Sequence, residues 1–472
     1  MLAFFRINDP YRLVGIFVLL IIIRIPVFLS GAPFTLPELN WMLLGESVAD
    51  GEVIYKSIWD QTAPLAALVY GLIDLVFGRS HLAHQVIATL LVFVQSIILN
   101  QMLLKNKAYN ENSYVPALIY IILMSGFYFY YTLSPTLMGL TFILLALNNL
   151  FYDIAYKAGE ERFLNTGIYL GLATLFFFPA ILFFPVMFLS FIMYTGSDFR
   201  KYLLLLFGFI FPFILVAGAF FWQYALQEYY QQYLLSVLTI SSQVLIGRLS
   251  QMIILGIPLI FLVFAWLKLW QAKRYNNYQV NFQVVIFFMS IGSILVWLIS
   301  YYKAPFQFVL IMPFLAFFIS HYFLLIRRRG WAELLFLVFA SSILVLNYGS
   351  MFQFIVPQKW IPTEKLSVQE TQWAPLVEGK SILVLGNQLS VYHQASLATP
   401  YLNWEMSKKH FEQSNYYDHL TDIYLNLSKD MPEVIIDLEG MVPQLFERMP
   451  TIAARYKKSS VEGAYELQPL SN

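Results

Sequence analysis

Acidic side chains are concentrated in the segment that follows the first apolar stretch of the chain. The six acids between residues 31 and 82 are Glu38, Glu46, Asp50, Glu52, Asp60 and Asp74. Glu38 lies in the first turn of a predicted amphipathic helix over residues 37–49, where the helix dipole stabilises a carboxylate. A carboxylate facing the membrane surface is also suited to act as a general base. The sequence leaves both interpretations of Glu38 open.

Other residue types that could form a site give weaker predictions of function. The chain has no cysteine, which excludes disulfides, thiolate metal sites and cysteine nucleophiles. His81 and His84 are three residues apart, but no third ligand accompanies them, so we predict no metal site there. Gly386 follows an apolar run without a G-x-G-x-x-G pattern, which favours a strand-end glycine over a phosphate-binding loop. Asp437 ends a second such run and fits either a site or a turn cap.

The elements that position these residues are membrane-spanning helices. Of the 472 residues, 59% are hydrophobic and 12% are charged. A soluble domain carries about 25% charged residues. Apolar runs long enough to cross a bilayer recur along the chain. A net charge of +1 predicts no nucleic-acid partner.

Apolar windows predict an all-α polytopic membrane protein with about eleven transmembrane helices. Arg24 and Pro26 interrupt the first apolar stretch, so we expect a retained span rather than a cleaved signal peptide. The run 164–195 contains Pro179, where we expect two short helices to meet. The predicted spans are 13–30, 83–104, 114–131, 135–152, 164–178, 180–195, 203–222, 250–269, 282–300, 306–325 and 331–350.

The distribution of positive charge predicts the orientation. Lys and Arg are frequent in alternate loops and sparse in the others, which places the N-terminus in the cytoplasm. We therefore expect a multi-pass protein of the bacterial inner membrane. This topology holds if the apolar segment 64–77, which contains Asp74, is too short to span and forms an interfacial helix. A second segment, 223–249, is rich in aromatic and amide residues and also suits the headgroup level.

The C-terminal part has a soluble composition. Residues 380–386 and 433–438 are short β-branched runs, with helix-like sequence between them. This order predicts a small α/β domain with a parallel strand pair. We expect the domains to be 1–355, a transmembrane domain whose first outer loop covers 31–82, and 356–472, a soluble α/β domain on the periplasmic face.

Several residues occur in an order found in a known superfamily. Arg24 near the end of the first span is followed by Pro37-Glu38, Gly51, Tyr55, Trp59-Asp60, Pro64-Leu65 and Phe77-Gly78. A late segment from Tyr301, YYKAPFQFVLIMPFLAFFISHY, brings Lys303 before an apolar run. Over roughly residues 10–325 this order resembles that of the GT-C glycosyltransferases. These include lipid A aminoarabinose transferases and protein O-mannosyltransferases.

The resemblance implies transfer of a sugar from a polyprenyl-phosphate-linked donor to an acceptor at the outer face. It implies Glu38 as the general base and Lys303 as the partner of the donor phosphate. It further implies Tyr55, Trp59, Asp60 and Arg24 as substrate-binding residues. The expected partners are the lipid-linked donor, membrane lipids and an acceptor that the sequence does not identify. No cofactor is expected, although a divalent metal ion is used by family members that have a second acid.

The chain departs from the family pattern at three places. Leu39 follows Glu38 where a second acid is common, Ser134-Pro135 replaces an Asp-Pro, and Phe176–Pro179 replaces a stretch that contains lysine in some members. The alternative is therefore a catalytically inactive scaffold, or a protein that binds a lipid-linked glycan. Lys303 also fits a lysine that anchors a helix end at the interface. A transporter ranks last because no internal repeat is visible.

Overall fold

Helices form most of the chain. The computed structural model describes residues 1–31, 34–157, 159–235, 243–272, 275–352, 354, 360–398 and 400–468. The helices are α1 (Leu2–Phe5), α2 (Arg12–Leu29), α3 (Leu36–Ala49), α4 (Pro64–Phe77), α5 (His81–Lys105), α6 (Val115–Leu123), α7 (Pro135–Tyr156), α8 (Glu160–Phe176), α9 (Phe183–Thr195), α10 (Phe199–Trp222), α11 (Leu226–Glu228), α12 (Arg248–Gln271), α13 (Asn277–Ile299), α14 (Met312–Leu325), α15 (Arg329–Met351), α16 (Ala374–Val377), α17 (Trp404–Glu412), α18 (Tyr417–Lys429), α19 (Val442–Arg448) and α20 (Pro450–Ala453). Short 3₁₀ or π turns cover Tyr128–Tyr131, Phe178–Leu182, Tyr229–Leu235, Pro305–Leu310, Thr363–Lys365 and Leu389–Gln394.

Within the described ranges, eight helical stretches are long and apolar enough to cross a bilayer. They are α2, α5, α7, the stretch Phe178–Thr195, α10, α12, α13 and α15. Each of them coincides with a predicted span. The chain is therefore a multi-pass membrane protein, as its composition predicts.

The other three predicted spans are shorter or interrupted. The segment 114–131 forms α6 and then leaves the helix before the turn Tyr128–Tyr131, and α8 has 17 residues. The segment 306–325 begins with a 3₁₀ turn and continues as the 14-residue α14. Buried side chains line α6, both turns and almost all of α14. Non-helical backbone in an apolar region is tolerated where protein surrounds it. The break predicted at Pro179 is present, since α8 ends at Phe176 and α9 begins at Phe183.

The chain divides into two compact units. The helical unit comprises Met1–Ala32, Leu82–Val216 and Ser242–Lys365. The mixed unit comprises Pro33–His81, Ala217–Ser241 and Leu366–Asn472. The mixed unit therefore combines most of the first predicted outer loop with the C-terminal residues, whereas the sequence suggested one boundary near residue 355.

A five-stranded sheet lies in the C-terminal part of the mixed unit. Its order is β4-β3-β5-β7-β6. The strands are β3 (Ser381–Leu385), β4 (Ser396–Leu397), β5 (Val434–Asp437), β6 (Tyr456–Lys458) and β7 (Ala464–Leu467). The pair β3 and β5 is parallel, with Leu383 opposite Ile435, and α17 and α18 lie between them in sequence. The predicted fold class, a polytopic helical protein with a small α/β domain, is confirmed.

A smaller parallel pair lies in the helical unit. Its strands are β1 (Gln243–Val244), just before α12, and β2 (Tyr302–Lys303), just after α13. Val244 lies opposite Lys303 in this pair. The pairing brings the beginning of α12 to the end of α13, which positions the residues of the cavity described below.

Candidate functional site

Glu38 caps the helix on which it lies. Thr35 precedes α3 in an extended conformation, and its Oγ1 accepts a hydrogen bond from the Glu38 backbone N–H at 3.3 Å. In return, Glu38 Oε2 accepts hydrogen bonds from the Thr35 N–H at 3.0 Å and from its hydroxyl at 2.7 Å. This is a reciprocal capping box, which satisfies N–H groups that the first helical turn leaves without partners.

The second oxygen of Glu38 contacts a histidine. Glu38 Oε1 lies 3.3 Å from His81 Nε2, and the two side chains are 4% and 27% exposed, respectively. Glu38 is thus a buried carboxylate with contacts on both oxygens. The structural role that the sequence suggested for it is present, and its role as a base stays a prediction.

Asp60 is a second buried carboxylate of the mixed unit. Its Oδ2 accepts a hydrogen bond from the Asn40 side-chain amide at 2.9 Å, and its Oδ1 accepts one from the Thr62 N–H at 2.7 Å. Burial raises the pKa of Asp60, although these hydrogen bonds oppose the change. Burial, followed by the charges of Glu38 and Asp60, also raises the pKa of the Tyr70 hydroxyl. The charges of Glu38 and Asp60 therefore both raise the pKa of the same hydroxyl, that of Tyr70.

Tyr55 is a packing residue in this structure. Its side chain is fully buried, and its hydroxyl donates a hydrogen bond to the Thr62 carbonyl at 2.7 Å. Its ring packs against those of Phe220, Tyr229 and Tyr233, at centroid distances of 5.5, 6.0 and 5.6 Å. Its φ of +71° is unusual for a residue with a side chain and marks the turn that ends at Ile58. Contact of Tyr55 with substrate stays a prediction.

Trp59 joins the first predicted outer loop to the C-terminal residues inside the mixed unit. Its backbone N–H donates to the Pro400 carbonyl at 2.6 Å, and its carbonyl accepts from the Asn403 N–H at 3.1 Å. Its ring lies 5.2 Å from that of Tyr401 and 4.7 Å from that of His410. Trp59 thus packs on the apolar core of the sheet region, and its contact with substrate stays a prediction.

Lys303 caps the end of α13 in the helical unit. Its Nζ donates hydrogen bonds to the carbonyls of Trp297 at 3.1 Å, Ser300 at 3.3 Å and Leu298. A cation is favoured at a helix C-terminus, where carbonyls lack partners. Partial burial lowers the pKa of the amine. Its predicted contact with a donor phosphate is untested.

Arg24 is a fully buried guanidinium in α2. It donates hydrogen bonds to Thr89 Oγ1 at 2.9 Å and to the Met124 carbonyl at 3.0 Å. Its Cζ lies 4.3 Å from the centre of the Tyr131 ring. In the part of the chain that the structure describes, Arg24 has no ion pair and its Nε has no hydrogen-bond partner. A charge inside a membrane span is energetically costly, which makes Arg24 a candidate functional residue. Its contact with substrate stays a prediction.

A cavity of about 350 Å³ lies in the helical unit between α12, α13 and the turn Pro305–Leu310. Most of its surface is apolar, with Met252, Leu255 and Leu259 along α12. Arg248, the first residue of α12, also lines the cavity. Trp297 of α13 lines it as well, and Lys303 Nζ lies 5.3 Å from the centre of the Trp297 ring. Two buried polar atoms of its lining, Trp297 Nε1 and Gln307 Oε1, have no partner among the described residues.

The structure groups the predicted residues by unit. Glu38, Tyr55, Trp59 and Asp60 belong to the mixed unit, whereas Arg24 and Lys303 belong to the helical unit. Sequence reasoning missed Arg248 and Asn40. The signal for Arg248 was a basic residue at the start of an apolar helix. The signal for Asn40 was a polar residue two positions after Glu38 in the same helix. Among the described residues, no group of three His, Asp or Glu side chains is arranged to hold a metal ion.

Comparison with known proteins identifies relatives by structure. No protein-family model and no curated protein matches the sequence. ArnT from Cupriavidus metallidurans, solved bound to undecaprenyl phosphate, is similar with a TM-score of 0.59 at 11% identity, over 97% of this chain and 98% of that one.

The archaeal oligosaccharyltransferase AglB from Archaeoglobus fulgidus, solved with an inhibitory peptide and a dolichol-phosphate, has a TM-score of 0.50 at 10% identity. That likeness covers 98% of this chain and 75% of AglB. At such low sequence identity, structural similarity shows a shared fold only. The chain therefore has a GT-C-like fold, although its sequence is only 11% and 10% identical to those of the two proteins.

Proposed function

We propose that this protein is a membrane glycosyltransferase. It would move a sugar from a polyprenyl-phosphate-linked donor to an acceptor at the periplasmic face of the bacterial inner membrane. The observation that carries the proposal is the cavity of the helical unit, where an apolar lining of membrane helices ends at Arg248. An amphiphile with an apolar tail and an anionic head has the chemistry that this lining complements.

The polar atoms of the cavity support a phosphate-linked sugar. Arg248 offers guanidinium N–H donors, and the buried Trp297 Nε1 offers another, so both suit phosphate oxygens. The unpartnered Gln307 Oε1 accepts hydrogen bonds and suits a sugar hydroxyl. Lys303 binds helix carbonyls and holds positive charge beside Trp297. We assign Arg248 the direct phosphate contact and Lys303 a supporting electrostatic role.

The transfer needs a base for the acceptor and a cation beside the leaving phosphate. The acceptor's hydroxyl or amine forms a bond to the sugar's anomeric carbon while the bond from that carbon to the phosphate oxygen breaks. The phosphate leaves with the electron pair, which a nearby cation stabilises. We propose Glu38 as the group that takes the acceptor's proton. In this proposal the acceptor side of the site is formed by Asp60, Tyr55 and Trp59. The buried Arg24 stabilises the packing of the membrane helices.

A second candidate function is a scaffold that binds a lipid-linked glycan without transferring it. The contacts of Glu38 favour a binding scaffold, because one carboxylate oxygen caps α3 and the other contacts His81. The carbonyl contacts of Lys303 favour it as well. Binding of the donor lipid without release of sugar by the wild-type protein would establish this alternative.

The test of transfer is Glu38→Gln. Glutamine also serves at this position of a capping box, so the variant should fold and reach the membrane at the wild-type level. We expect kcat to fall about 10²- to 10⁴-fold, because a general base contributes about that much. The matched control is Glu52→Gln, which changes a more exposed acid of the same loop and should keep full activity.

The companion variant Arg248→Gln separates donor binding from chemistry. It should raise the KM for the donor about tenfold, the worth of one charged contact, with a smaller change in kcat. Full activity of Glu38→Gln would refute the proposed base. An unchanged KM in Arg248→Gln would remove the donor site from this cavity.

A further inference from the structure

A groove in the mixed unit lies where the spanning helix α10 ends. Its volume is about 730 Å³, and nine residues between Ala217 and Leu234 line it. Phe221 and Tyr224 form part of the wall and are 70% and 86% exposed. Trp222, the last residue of α10, is 84% exposed. Exposed Trp and Tyr at the end of a span are typical of the membrane–water interface.

Packed aromatic rings form the inner wall of the groove. Tyr229 is 3% exposed and its ring stacks on Phe220, with ring centres 4.7 Å apart and planes at 13°. Tyr233 packs on the other side at 5.4 Å. Within the described ranges, the buried Tyr229 hydroxyl has no hydrogen-bond partner. A buried hydroxyl without a partner costs free energy, which a ligand hydrogen bond would remove.

Two opposite charges border this wall. Glu228 lines the groove, is half-buried, and has no ion pair within the described part of the chain. On the Tyr224 side, exposed Lys56 donates a hydrogen bond from Nζ to the Tyr224 carbonyl at 3.2 Å. The groove therefore presents a carboxylate among aromatic rings and an ammonium at its edge.

We infer that this groove binds the headgroup of a zwitterionic phospholipid. The ammonium of such a headgroup would meet Glu228 and the faces of Tyr224 and Tyr230, as cations do over aromatic rings. Its phosphate would meet Lys56 and the Tyr229 hydroxyl. A purely anionic lipid would satisfy Lys56 but would be repelled by Glu228. The binding needs no sugar transfer, so it is independent of the function proposed above.

The test measures which lipid the whole protein retains. The purified, delipidated protein is mixed in detergent with equal amounts of phosphatidylethanolamine and phosphatidylglycerol, and native mass spectrometry counts the retained lipid. We expect phosphatidylethanolamine to be retained over phosphatidylglycerol by about tenfold, the worth of one charged contact. A second experiment replaces phosphatidylethanolamine with phosphatidylcholine, whose ammonium has no N–H donors. It shows whether the aromatic rings and the charge are sufficient for binding or whether N–H donors are also required. Retention of either lipid supports the site.

The variants assign the selectivity to the groove. Glu228→Gln should lower retention of phosphatidylethanolamine about tenfold and abolish its advantage over phosphatidylglycerol. Glu447→Gln is the matched control, because this exposed acid lies elsewhere in the mixed unit. Equal retention of the two lipids by the wild-type protein would overturn the inference. So would a preference that Glu228→Gln leaves unchanged, or retention of a glycan in the groove instead of a lipid.

Discussion

At the scale of single residues, the buried carboxylates beside α3 dominate the chemistry of the mixed unit. Asp60 accepts hydrogen bonds from neutral donors, among them the Asn40 side-chain amide and the Thr62 N–H. Such donors compensate the loss of hydration incompletely, so its pKa is raised in the folded protein. The folded state consequently holds the Asp60 proton to a higher pH than the unfolded state does.

This shift predicts a dependence of stability on pH. Stability from Asp60 is fully present below the unfolded pKa of about 3.9 and is lost as the pH rises through the folded pKa. The loss amounts to about 1.4 kcal/mol for each pKa unit of difference. Asp60→Asn should therefore flatten the decline of the thermal unfolding midpoint as the pH rises above about 4. Intrinsic fluorescence of the protein in detergent measures it.

The control for this measurement is Asp418→Asn, an exposed acid at the start of α18. It should leave the pH dependence as in the wild type. An Asp60→Asn variant whose midpoint declines as steeply as the wild-type one would contradict the assignment.

At the scale of elements, glycines set how closely two helices of the helical unit approach. Gly167 and Gly171 lie one turn apart in α8, and Gly208 lies in α10. A Cβ at Gly167 would overlap the Leu205 carbonyl oxygen, and one at Gly208 would overlap that of Leu164. Small residues four apart are a known means of close packing between membrane helices.

We predict that Gly167→Ala destabilises the protein. Alanine favours an isolated helix by about 1 kcal/mol over glycine, but the overlap with α10 should cost more, about 1–3 kcal/mol net. The thermal unfolding midpoint in detergent should fall accordingly. Gly256→Ala in α12 is the control, since a Cβ there meets nothing within 4 Å. Equal midpoints for the two variants would show that the close approach of the two helices does not matter for stability.

At the scale of the whole molecule, the open question is orientation in the membrane. The charge distribution of the loops predicts a cytoplasmic N-terminus and a periplasmic C-terminal domain. The proposed reaction requires that topology, because the first outer loop and the C-terminal residues must face the acceptor.

Because the chain has no cysteine, single introduced cysteines report the topology without background. Exposed positions on the two predicted sides are Asn415, between α17 and α18, and Asp198, between α9 and α10. In spheroplasts, a membrane-impermeant maleimide should label Asn415→Cys at once and Asp198→Cys only after permeabilisation. The unmodified protein should stay unlabelled. The reverse pattern would invert the topology and place the proposed transfer on the cytoplasmic side.

Features that depend on neighbouring residues could be predicted from the sequence. Runs of apolar residues predicted the spans, because crossing a bilayer requires a continuous apolar helix. Short β-branched runs around a helical segment predicted the parallel pair β3 and β5. The sequence also placed Glu38 in the first turn of a helix, whereas its capping box with Thr35 was seen only in the structure.

Contacts between residues far apart in the sequence became visible only in the folded chain. It joined Trp59 to residues near 400, Asp60 to Asn40, and the start of α12 to the end of α13. It also shortened or interrupted the helices in three apolar segments that composition alone presents as spans. The physical reason is that burial and helix approach depend on partners far along the chain, whereas propensity and hydropathy are local. The cavity at Arg248 is a product of that long-range packing, since α12, α13 and the turn Pro305–Leu310 line it together.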